Sequence, residues 1–136
     1  MNRKKSREVA MKLLFEISIN KNSIEATIEN YKEDNEVQNL DFQYIERILR
    51  GIDENKEFID SKIEEASNKW KINRISKINI TIIRMAAYEI FFEKDIPCKV
   101  SANEAVELAK NYAEENSFSF VNGIIGNLIN SNGEKS

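Results

Sequence analysis

Any chemistry in this chain has to be done without histidine and with a single cysteine, Cys98. The commonest general base and the commonest metal ligand are therefore missing, and with them every Ser-His or Cys-His nucleophile pair. Glu104 and Glu107 stand three apart in a helical stretch and superficially resemble metal ligands. Two carboxylates without a third ligand make a poor transition-metal site. Glu104 is better explained by Ser101-Ala102-Asn103-Glu104, which has the S-x-x-E form of a capping box. No catalytic residue, metal or cofactor is expected.

What remains is binding chemistry, and it concentrates at the N-terminus. Residues 1–12 hold Arg3, Lys4, Lys5, Arg7 and Lys12 against Glu8 alone, leaving 15 basic and 22 acidic residues for the rest of a chain of net charge −3. A basic arm on an acidic body suits one polyanionic partner and one basic partner, although a frayed, merely solubilising tail has the same composition. Met11 and Phe15 lie on the same side of the first helix as Lys4, Lys5, Glu8 and Lys12. Lysines beside a ring are what a single-strand nucleic-acid surface uses, charge for phosphates and a π-face for a base. A neighbouring helix covering Met11 and Phe15 would explain them equally well.

The elements that must position these groups are all helical. The chain has 136 residues, 41% hydrophobic and 32% charged, with one Pro and four Gly, which fits a single domain of 1–136 built from long helices. The segment 75–92 is apolar on every side and predicts a central, buried helix. Asn79, Thr81, Arg84 and Glu89 interrupt it too often for a membrane span. Arg84 and Glu89 are five apart, about 140° around the helix, so each needs a partner elsewhere if buried; both are expected to be structural ties.

Around that centre, helices are expected from about 5 to 20, from Asn22 or Ser23 to about Asp34, from Asp41 as N-cap to near Gly51, and through Phe58–Ala66. Pro97 predicts extended chain over 96–100. A helix capped by Ser101 and a last one from Phe118 follow, giving seven helices in an all-α fold. A joint near 68–73 would divide subdomains 1–68 and 69–131, and 132–136 is expected as a flexible tail, with fraying from Asn130. With one cysteine and no secretory signal, a cytoplasmic location is expected.

These segments, read together, resemble the NusB family of bacterial transcription antitermination factors over nearly the whole chain. The resemblance rests on Arg7-Glu8 with Ala10, Leu14 and Phe15; Tyr44 through Gly51; Trp70 and Arg74; Arg84 with Ala87-Tyr88-Glu89; Ile96-Pro97 with Val100; Asn103 through Lys110; and Phe120-Val121-Asn122-Gly123. It implies two perpendicular three-helix bundles with an additional helix, and no catalysis. It further implies binding of the boxA element of ribosomal RNA leader transcripts, jointly with the small-subunit ribosomal protein NusE, within the antitermination complex of RNA polymerase. The RNA-binding residues it implies are Arg3, Lys4, Lys5, Arg7, Lys12, Phe15, Phe120 and Asn122.

Some positions depart from the family pattern. Lysines stand among the expected arginines, Lys12 replaces a usual glutamine and Phe15 a usual tyrosine. A homodimer is left open by the sequence. Two other readings are a helical RNA-binding or adaptor module without an antitermination role, and the N-terminal domain of a ribosomal RNA cytosine methyltransferase. The latter calls for a methyl-donor-binding α/β domain and a Gly-rich loop after a strand, and this sequence displays neither.

Overall fold

A computed structural model describes residues 2–68 and 71–132. Among them lie seven α-helices and a short 3-10 turn: α1 (Arg3–Asn20), α2 (Ile24–Asp34), α3 (Phe42–Glu54), α4 (Lys56–Ala66), the turn Ile72–Arg74, α5 (Lys77–Phe92), α6 (Cys98–Tyr112) and α7 (Ser117–Ser131). No strand occurs among the described residues. Trp70, one of the residues carrying the family resemblance, lies outside them.

The core is organised by α5. Residues 79–83 and 85–90 are all buried, because a helix apolar on every side can only be stable with neighbours on every side. Helices α1 and α3 cover one flank of α5, and α4, α6 and α7 cover the other. The buried side chains form one continuous cluster from Val9 to Leu128. Helix α4, expected with the first half of the chain, packs against α5 and α7 as well as α3.

Local sequence sets most helix ends. The Asn2 side chain accepts from Lys5 N–H, Ser23 from Ala26 N–H, Asp41 from Tyr44 N–H and Ser76 from Asn79 N–H, each satisfying a donor that a helix start leaves unpaired. The cap of α2 is thus Ser23. Lys21 closes α1 in the left-handed region, φ 60°, with its N–H on the Ile17 carbonyl.

Five expectations are corrected. The basic N-terminus is not an arm: Arg3 already lies in α1, and Asn2 N–H donates to the Asn39 carbonyl. Residues 98–100 are helical rather than extended. Pro97 occupies the N-cap, where its missing N–H is not needed, and its carbonyl accepts from Val100 and Ser101. Ser101 therefore lies in the first turns of α6, and Ser101 and Glu104 do not form a capping box. Gly51 lies inside α3, not at its end: a Cβ there would come within 2.2 Å of the Tyr88 ring, so its glycine allows α3 and α5 to approach. The frayed tail expected from Asn130 is helix to Ser131, and Asn132 Nδ2 donates to the Ile90 carbonyl (2.9 Å). The tail residues 133–136 lie outside the described residues.

Candidate nucleic-acid interface

The residues expected to meet RNA divide into a group turned outward and a group consumed by the fold. Arg7 belongs to the second. It is 6% exposed, and its Nε and Nη2 donate to Glu89 Oε2 and Oε1 at 2.9 and 3.0 Å. Glu89, 2% exposed, also accepts from the Tyr44 hydroxyl and from Ser101 Oγ (2.7 Å). One buried carboxylate thus ties α1, α3 and α6 to α5. Burial opposes the charge on Arg7, but the bond to Glu89 and its attraction outweigh this, so the guanidinium pKa is raised. Burial, followed by the charge of Glu89, pushes the Tyr44 hydroxyl far above the usual phenol range. Arg7 as an RNA contact is corrected on this geometry: its fork is spent on Glu89, and a phosphate would have to break a buried pair.

Arg3 is partly committed. Its Nη2 donates to Asp41 Oδ2 (3.0 Å) and its guanidinium lies 4.4 Å from the centre of the Tyr44 ring. Asp41 is held below its ordinary pKa of 3.8; burial works against ionisation, but Tyr44 N–H and Arg3 outweigh it. Arg84 donates two bonds to Asp60, at 2.8 and 2.9 Å, which joins α5 to α4. Arg84 and Glu89 therefore each have a separate partner on another helix.

The outward group is made of lysines and rings. Lys5 is exposed with no acidic partner among the described residues. Lys4 Nζ lies 3.9 and 3.7 Å from Glu104 and Glu107 of α6, and Lys12 Nζ 4.0 Å from Glu8. Exposed pairs of this kind are worth little and yield readily to a phosphate. Met11 is buried, as the covering-helix explanation required, whereas Phe15 is only half-buried.

On α7, Asn122 is exposed and Phe120 half-buried. Phe120 lines an open groove of about 380 Å³ with Ser67, Asn68, Gly123 and Asn127. The structure brings Lys4 and Lys12 to α6 but places Phe120 beside α4. Sequence reasoning missed Lys71 and Lys77, and gave Arg74 no role in binding. All three are exposed near the start of α5, without an acidic partner among the described residues. Lys77 opens a helix whose dipole disfavours a cation there, a local misfit that was legible in the sequence.

These features define an all-helical binding module with a cationic helix face. The NusB family model matches residues 4–130, so the chain belongs to the NusB family. It is 87% identical over 135 residues to the transcription antitermination protein NusB of Clostridium acetobutylicum, covering 99% of this chain and all of that one. It is 59% identical to the protein of the same name from Clostridium novyi, over 95% of this chain and 98% of that one. Among solved structures, T. maritima NusB superposes with a TM-score of 0.85 at 36% identity, covering 96% of this chain and 92% of that one. NusB from Aquifex aeolicus, at 24% identity, shares the fold with a TM-score of 0.79 over 98% of this chain and 94% of that one. NusB is a family of transcription antitermination factors and not of enzymes. No helix among the described residues is long and apolar enough to cross a membrane.

Proposed function

We propose that this protein is a transcription antitermination factor. It binds the boxA element of ribosomal RNA leader transcripts together with the ribosomal protein NusE, and helps RNA polymerase read through terminators in the cytoplasm. The antitermination part of this reading is carried by the near-complete, 87% identical match to a relative named transcription antitermination protein NusB; boxA and NusE are what the family resemblance implies. The surface supports it. Lys4, Lys5 and Lys12 stand outward on α1 with Phe15 beside them, and Phe120 and Asn122 offer a second contact region on α7. Arg3 contributes charge while tied to Asp41.

With three or four phosphate contacts to a single strand, log K falls with log salt at a slope of about −2 to −3. That is modest for a protein acting alone and leaves room for a basic partner on the acidic body. The test is binding of labelled boxA-like RNA and a scrambled RNA across a salt series, with and without NusE. Preference for boxA, sharpened by NusE, is the expected result. Equal, wholly salt-driven binding of both RNAs overturns the reading.

A further inference from the structure

We propose that Tyr112 is a base-stacking residue, forming with Lys12 one step of a single-stranded RNA path that crosses from α1 to the C-terminal end of α6. The inference rests on the RNA-binding reading above and names a contact that reading does not contain.

Tyr112 is the last residue of α6, and the chain leaves the helix at Ala113 in an extended conformation, so the ring stands at a corner of the fold. It is 38% exposed. The Nζ of Lys12 lies 5.2 Å from its ring centre, a cation–π contact between side chains a hundred positions apart. The other neighbour of that ammonium is Glu8 at 4.0 Å, with the Lys12 side chain 56% exposed. A phosphate can therefore take the ammonium while a base takes the ring. Phe15, about one helical turn beyond Lys12, extends the same surface.

The other exposed rings differ in one respect. Phe58 packs edge-on against Phe91 and Phe92, and Phe92 stacks on Tyr88 with centres 5.5 Å apart and planes 22° from parallel. Those rings already have aromatic neighbours. Tyr112 has none among the described residues, and its hydroxyl makes no hydrogen bond there. A solvent-facing ring with a cation above it and no ring beside it is the pairing that single-strand binding surfaces use, because every base has a π-face to offer.

The test measures binding of a short labelled single-stranded RNA, and of an abasic strand of equal length, by wild type, Tyr112→Ala, Tyr112→Phe and Phe92→Ala. Tyr112→Ala is expected to weaken RNA binding about 5- to 150-fold, by the same factor at every salt concentration, and to leave the abasic strand unaffected. Tyr112→Phe and Phe92→Ala stay within about twofold of wild type, since the first keeps the ring and the second lies elsewhere. The proposal is overturned if Tyr112→Ala binds RNA as wild type does, or loses RNA and abasic strand alike. Tyr112→Phe weakened as much as Tyr112→Ala also overturns it, because the hydroxyl and not the ring would then be responsible. Wild type that binds no single-stranded RNA removes the RNA-binding reading itself, a result distinct from the others.

Discussion

Replacing Arg7 by alanine separates two roles for the same residue. If Arg7 contacts RNA, as the family resemblance implied, Arg7→Ala lowers affinity and the salt slope by about 0.7 while stability holds. The geometry demands the reverse. The substitution removes both bonds of a buried fork and takes the Arg7 charge away from Glu89, which is 2% exposed. Breaking a buried pair from one side costs about 3–5 kcal/mol. Tyr44 and Ser101 still donate to Glu89, which places this case near the lower end. For a chain of 136 residues, about 3 kcal/mol corresponds to a fall of about 10 °C in Tm. Thermal and urea unfolding followed by far-ultraviolet circular dichroism measures the loss. RNA affinity, taken where both proteins are folded, is expected to stay within about twofold. A variant with unchanged Tm and a reduced salt slope refutes the reasoning.

Three further outcomes are expected. Gly51→Ala forces a methyl group into the Tyr88 ring and destabilises by about 1–3 kcal/mol, read as a lower urea midpoint. Asp41 has a folded pKa below its ordinary 3.8, so its contribution is present above that value and is lost as pH falls through the lowered one. Asp41→Asn keeps an N-cap acceptor but loses the charge pair with Arg3. It should be less stable at neutral pH, with the gap to wild type closing below pH 3.8 in a pH series of unfolding midpoints. Lys5→Gln, at an exposed position, leaves Tm unchanged and makes the salt slope of RNA binding shallower by about 0.7, measured by fluorescence anisotropy.

Periodicity made the all-α class, the seven helices and the central position of α5 readable in advance, because apolar spacing along one helix is a local signal. Asp41 as a cap was readable for the same reason. The fate of Arg7 was not, since the residue that claims it lies 82 positions away and nothing near Arg7 marks it as inward-facing. Ser101 and Glu104 misled because S-x-x-E can begin a helix, while Pro97 had already begun this one. The role of Gly51 depends on where Tyr88 arrives, a matter of packing between α3 and α5. Tyr112 fits the apolar stripe of α6 on paper, and only its place at the helix end leaves it uncovered.

The carboxylate that unites four helices also imposes an order on synthesis. Arg7 is made early, but Glu89 follows 82 residues later and Ser101 another 12 after that. At about 5–20 residues per second, Arg7 waits roughly 4–16 s after leaving the ribosome before Glu89 exists to pair with it. An isolated helix of 18 residues is only marginally stable in that interval. The nascent chain can therefore seat α1 on α3, through Arg3 and Asp41, before α5 is made, but the Arg7 fork has no Glu89 to close on until α5 is complete.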